Sequence, residues 1–287
     1  MQLNPAPQSP NMYVAYESLP PLPEPIDQNT LLQTLQQKFS SKQWVENLEA
    51  INILRQLNKA YPQSMNQVCE IFWNHILKSV DTPKTAVCKT SLMFLTELFV
   101  NVNVNLNDVI IQTIVPKLAL KSQANSKIIK REAEQAYQSA VTKCLKESLI
   151  ISLSQSCQDK NAKVSELSFK ALFHVLSLAG QNILNLQAET FKHIFIAVKF
   201  GLFGKRAELK KQATAVCRGV YQVLGEANFE QLITMLVQGQ ILDQKDIRHI
   251  QDIFVQKQAN QHVNLSTVLK NRRKQSNAYK NQGIHNF

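Results

Sequence analysis

Val87-Cys88-Lys89-Thr90-Ser91-Leu92, Ile129-Lys130-Arg131-Glu132-Ala133-Glu134, Val164-Ser165-Glu166-Leu167-Ser168-Phe169 and Leu209-Lys210-Lys211-Gln212-Ala213-Thr214 are four versions of one pattern. Each sets a branched aliphatic residue four positions ahead of a small one: Val87 and Ser91, Ile129 and Ala133, Val164 and Ser168, Leu209 and Ala213. Residues i and i+4 share a helix face, so each segment presents a knob and a gap on the same side. A small residue in that gap lets a neighbouring helix come close. Glu46-Asn47-Leu48-Glu49-Ala50-Ile51 stands one interval upstream and opens the series.

The segments recur at intervals of roughly 35–45 residues, the period of HEAT and armadillo helix pairs. Polar breaks precede them at Ser40-Ser41-Lys42-Gln43, Asp81-Thr82-Pro83-Lys84, Ser122-Gln123-Ala124-Asn125-Ser126, Asp159-Lys160-Asn161 and Gly204-Lys205-Arg206, where helix caps belong. A helix pair of this kind cannot bury its apolar stripe alone and is stable only when stacked. The expected fold is therefore all-α, an α-solenoid of about six HEAT-type pairs. Five run from Thr30 to Leu224, and a less regular sixth, Phe229–Gln238 with Asp243–Gln258, caps the end.

Composition agrees. Hydrophobic residues make up 44% of 287, enough for a continuous core, and only 7 Gly are present. Seven of the 10 Pro lie before Thr30, so residues 1–29 read as an extended Pro-rich arm, free or ordered against a partner. Residues 30–260 form the helical domain and residues 261–287 a basic tail. The formal net charge is +11, which calls for an acidic partner: nucleic acid or an acidic protein surface. Five scattered Cys with no CxxC pair read as buried, reduced thiols. The first residues show no secretory signal and no stretch is long and apolar enough for a membrane span, so a reducing compartment is expected: cytosol, nucleus or cilium.

In stacked pairs, the turns inside each pair fall along one edge, so a partner lying there meets one short turn per repeat. These turns offer Trp44, then Lys84, then Lys127 with Lys130, then Lys160 with Lys163, then Lys205, Arg206 and Lys210. Acids among them are Asp81, Asp159 and Glu208. A row of bases headed by an indole suits an acidic protein surface, with the charges steering encounter and the aromatic anchoring it. Trp44 could equally staple the core of the first pair.

The stretch Gln43-Trp44-Val45-Glu46-Asn47-Leu48-Glu49-Ala50-Ile51-Asn52-Ile53-Leu54-Arg55-Gln56-Leu57 resembles the first HEAT repeat of TOG domains. Pro116-Lys117-Leu118 through Lys130-Arg131-Glu132-Ala133 to Ala136 is similar to the third repeat, and Lys160-Asn161-Ala162-Lys163-Val164 to the fourth. The likeness is greatest to the crescerin (TOGARAM) type associated with cilia, with CLASP as a second relative. The resemblance implies tubulin binding through the intra-pair turns, with Trp44 as anchor and Lys84, Lys127, Lys163 and Lys205 or Arg206 as basic contacts. The chain departs from the family by having Val45-Glu46-Asn47 after the Trp and Ser165 where Arg is common.

A single such domain lacks the linked second capture that accelerates polymer growth. The expectation is thus a non-enzymatic tubulin- or microtubule-binding protein, a structural component of ciliary (axonemal) microtubules beside other axonemal proteins. Lys270, Arg272, Arg273 and Lys274 of the tail are expected to face acidic tubulin segments. The alternative is a HEAT adaptor for a non-tubulin partner. Nucleic acid is disfavoured, because aromatic residues are 7% and the turns lack stacking pairs. No phosphate loop, nucleophile motif or metal-ligand spacing occurs, and the six His are dispersed, so neither cofactor nor metal is expected.

Overall fold

The computed structural model describes residues 14–22, 27–101 and 105–254. Its helices are α1 (Gln28–Ser40), α2 (Trp44–Ala60), α3 (Met65–Asp81), α4 (Thr85–Val100), α5 (Asp108–Lys121), α6 (Lys127–Lys143), α7 (Glu147–Ser156), α8 (Ala162–Ala179), α9 (Ala188–Phe203) and α10 (Ala207–Gln238). Residues 244–254 form a further helix, α11. Among the described residues there is no β-strand.

Local chemistry sets the helix starts. The Asp27 carboxylate accepts the N–H groups of Thr30 (3.0 Å) and Asn29 (3.3 Å), and the Thr30 bonds hold its carboxyl below the usual range. The first helix therefore begins at Gln28, slightly ahead of the Thr30 start expected. Asn107, Ser126 and Asn161 likewise accept from Ile110 (2.9 Å), Ile129 (3.5 Å) and Lys163 (3.1 Å). Each such cap contributes about 1 kcal/mol.

Helices α1 and α2 pair, as do α3 and α4, α5 and α6, α7 and α8, and α9 with the front of α10. First helices stack on first helices and second on second, giving a two-layer solenoid. Between the third and fourth pairs the stacking shifts: α5 and α7 pack closely while α6 and α8 barely meet. The gap residues Ser91, Ala133, Ser168 and Ala213 are all fully buried. At Gly201 of α9, an added Cβ would lie 2.6 Å from Ala213 Cβ and 2.8 Å from Phe169 Cζ. The small residues do let the helices close.

The sixth pair is joined differently from the expectation. Helical hydrogen bonding runs through Ala207–Gln238 except at Gly225, whose φ of 74° turns the chain in a single residue. A Cβ at that φ is strained, which is why glycine stands there. Pair six thus starts just after Gly225, ahead of Phe229, and no polar break marks it.

Part of the N-terminal arm folds back on α2. Lys59 Nζ donates to the carbonyls of Glu17 (2.8 Å) and Tyr16 (3.1 Å), and Gln56 Nε2 to that of Pro20 (3.0 Å). Leu19 and Leu22 are buried. Arg55, 1% exposed, lies on the same helix and makes a bidentate pair with Glu97 of α4, at 2.6 Å from Nη2 and 2.9 Å from Nε. The other arm residues, 1–13 and 23–26, and all of the tail lie outside the described residues.

The cysteines are free, and Cys69, Cys88, Cys157 and Cys217 are buried. Burial pushes the Cys69 and Cys217 thiols up to about 12. Among the described residues no helix is long and apolar enough to cross a membrane.

Candidate functional site

The solenoid brings the intra-pair turns, residues 41–43, 82–84, 122–126, 157–161, 204–206 and 239–243, to one edge. Several neighbours touch directly. Asp81, ending α3, pairs with Lys117 and, at 3.6 Å, Lys121 of α5, which ties the second turn to the third. Trp44 and Asn47 share a cleft of about 190 Å³ with Thr82 and Val87, tying the first turn to the second. Lys199 of α9 meets buried Asp246 of α11 at 2.7 Å, beside a recess of about 480 Å³ lined by Phe203, Gly204, Asp243 and Lys245. Close packing of α5, α7 and α9 sets the fourth turn between the third and fifth.

Trp44 is the first residue of α2 and is half-buried. Its cleft is walled by Phe39, His75 and Val87, with Lys78 at the side. The Phe39 and His75 rings stack at 5.2 Å, and burial, assisted by Lys78, holds the imidazole below its ordinary value. The neutral imidazole is thereby favoured. The indole is neither a free loop aromatic nor a closed core staple: part of it rests on the first two pairs and part faces solvent.

The expected bases divide. Lys84 caps α4, Lys127 opens α6, Lys163 is the second residue of α8, Lys205 lies in the fifth turn and Arg206 caps α10. All five are exposed, and none has a carboxylate within ion-pair distance among the described residues. Lys130 is different, because Glu134 one turn on pairs with it at 3.8 Å. Lys270, Arg272, Arg273 and Lys274 lie outside the described residues. Of the edge acids, Asp81 pairs with Lys117 and Lys121, Asp159 accepts the Asn161 N–H at 2.7 Å, and Glu208 accepts from the Gln212 amide at 2.9 Å.

These bases stand where helices prefer acids. A helix N-terminus carries roughly half a positive charge, so Asp and Glu are favoured in the first turn and Lys is not. Yet α4, α6 and α8 have no acid in the first turn and carry Lys84, Lys127 with Lys130, and Lys163 instead. Side-chain and backbone charge therefore add at these three middle turns, whereas α2 and α10, at the first and fifth turns, carry Glu46 and Glu208 in their first turns.

Sequence reasoning missed several edge residues. Lys42 and Lys245 are exposed at the first and sixth turns. Leu120 (55% exposed) and Ile128 (48%) flank the third turn, and Phe200 (40%) and Phe203 (38%) the fifth. Each sits off the buried stripe of its own helix, a signal present in the sequence.

The family model described as CLASP N terminal matches residues 26–202, from just before α1 to the last turn of α9. The chain belongs to the CLASP N-terminal family. The TOG domain of C. elegans Zyg9 is similar in structure, with TM-score 0.55 and 13% identity over 84% of this chain and 92% of that one. Drosophila melanogaster Mini spindles TOG3 scores 0.49 at 15% identity over 78% and 93%. A crescerin TOG structure scores 0.46 at 13% identity over 78% and 89%. No curated protein matches the sequence. This CLASP-family chain has the fold of a TOG domain, a non-enzymatic HEAT solenoid.

Proposed function

We propose that this chain binds tubulin, free or in the microtubule lattice, through its intra-pair turn edge. Lys84, Lys127, Lys163, Lys205 and Arg206 supply the charge, with Lys130 a weaker contributor because Glu134 competes for it. Trp44 is the anchor at one end. The observation that carries the reading is the placement of unpaired bases at the N-termini of α4, α6 and α8. That choice works against the helices and serves an acidic partner. Family membership and the TOG-type fold support the same reading.

Each exposed pair with a carboxylate contributes at most about 1 kcal/mol, so the row adds orientation and encounter rate more than affinity. A desolvated indole supplies about 2 kcal/mol or more. The finer placement, a structural role on axonemal microtubules, rests on the crescerin likeness of the sequence and is tested by locating the tagged protein in ciliated cells.

The binding test is cosedimentation with microtubules and gel filtration with free tubulin, at low and physiological salt. Binding that weakens with salt and falls at least tenfold in Trp44→Ala is expected. Absence of binding to both forms at low salt refutes the proposal, and capture of a non-tubulin protein in its place favours an adaptor.

A further inference from the structure

At the end of the solenoid, an apolar groove of about 800 Å³ between the rear of α10 and α11 is left uncovered by the described residues. Its floor is an aromatic cluster: Tyr221 and Phe254 at 4.4 Å between centroids, Tyr221 and Phe229 at 5.3 Å, and Phe229 and Phe254 at 5.6 Å. Ile233, Val237 and Ile247 continue the apolar wall. The only charged residues of the lining are Glu226 and Glu230, both exposed and without a cation partner among the described residues. In a chain of net charge +11, an acid-rimmed groove without lysine or arginine is complementary to a basic, amphipathic segment.

Such a segment follows in the same chain. Phe254, on the groove wall, is the last described residue, and 255–287 contains six Lys or Arg and no acid. Within it, Leu265, Val268 and Leu269 have the i, i+3, i+4 spacing of one helix face, and Lys270, Arg272, Arg273 and Lys274 follow at once. The ten residues between Phe254 and Leu265 reach about 30 Å at full extension, ample for a return to the groove. A stacked repeat array also requires its terminal apolar face to be covered.

We infer that residues 263–274 cap the solenoid by docking in this groove, with Leu265, Val268 and Leu269 against the aromatic floor and the bases against Glu226 and Glu230. This inference does not rest on the tubulin reading, although the tail bases it uses are those expected to face acidic tubulin segments.

The experiment is carbodiimide cross-linking of the full chain, mixed one to one with heavy-isotope chain and read by mass spectrometry. Links from Glu226 or Glu230 to Lys270 or Lys274 within one chain, independent of dilution, are expected. The Glu189–Lys192 pair, at 2.7 Å, is the internal control. Leu265→Asp/Leu269→Asp should lose the links, lower Tm by a few degrees and keep the helical circular-dichroism signal. Three results overturn the inference: control links alone, links of which about half join light to heavy chains, which assign the groove to a second copy, or links that persist in the double variant.

Discussion

Replacing Lys84 by Asp and Lys127 and Lys163 by Glu should make the protein more stable and a worse binder at once. Lys84 is the N-cap residue of α4 at φ −75° and ψ 101°, and its side chain makes no capping bond. Asp in that conformation accepts a first-turn N–H, which contributes about 1 kcal/mol. Lys127 and Lys163 occupy the first and second positions of α6 and α8, with no ion pair to lose among the described residues. Exchanging a base for an acid in a first turn contributes about 0.3–1 kcal/mol each. The total of about 2 kcal/mol corresponds to a Tm rise of about 4–8 °C for a domain of this size. Against an acidic partner the same three changes remove contacts of up to about 1 kcal/mol each and add comparable repulsion; at about half that maximum for each, the loss is about a hundredfold in affinity. Scanning calorimetry and microtubule cosedimentation on one preparation read both signs. A fall in Tm would mean the lysines support the fold, and a higher Tm with unchanged binding would mean the edge is not the contact.

Gly201→Ala should lower stability by up to about 2 kcal/mol, the overpacking against Ala213 and Phe169 less the helix propensity regained, whereas Gly219→Ala, whose Cβ meets Phe173 at an ordinary 3.4 Å, should raise it by up to about 1 kcal/mol; urea melts giving both variants one sign would refute the packing argument. The Tyr137 hydroxyl is buried near Ser168 with no hydrogen-bond partner among the described residues, so Tyr137→Phe should leave Tm unchanged or raised by about 1 kcal/mol of stability, and a clear loss would show that the two hydroxyls pair. The folded thiols of Cys69 and Cys217 lie at about 12 against the ordinary 9.0, so the stability they confer is complete below pH 9 and is lost as pH rises toward 12, by up to about 1.4 kcal/mol per pH unit for each. Urea melts from pH 8 to 11 test this, and a pH-independent midpoint above 9 would contradict it.

The stacking was legible because it is written as a local pattern. Knob and gap four residues apart fix which helix face closes, and burial of Ser91, Ala133, Ser168 and Ala213 follows from that alone. The Gly225 junction was not legible, because a left-handed φ turns the chain without a polar cluster to announce it. Nor was the docking of residues 14–22, which depends on Lys59 and Gln56 meeting backbone carbonyls about 40 residues away in sequence. At the edge, periodicity located the turns and hence the bases, but exposure and pairing are tertiary properties. Lys130 is the exception that sequence could have shown, because Glu134 stands four residues on along the same helix while Lys127 has Arg131 there. Trp44 shows the same limit: its place at a helix start is local, while the cleft that half-covers it is built by α3 and α4.

The edge, rather than either broad face, is where this architecture leaves chemistry to spare. Stacking consumes the apolar stripes of the helices, so what remains for a partner is mostly helix termini. At each intra-pair turn one helix ends and the next begins. Lys38, Lys78 and Lys121 stand in the last turns of α1, α3 and α5, where bases complement the negative terminus. The following starts at α4, α6 and α8 receive bases too, against the same rule. Helix starts elsewhere are mixed: α5, α7 and α9, at the opposite edge, carry Asp108, Glu147 and Glu189 in their first turns, α1 and α3 carry none, and on the turn edge α2 and α10 carry Glu46 and Glu208. The chain thus breaks the dipole preference at the second, third and fourth intra-pair turns, where α4, α6 and α8 begin, and these turns lie on the edge that offers a half-exposed indole.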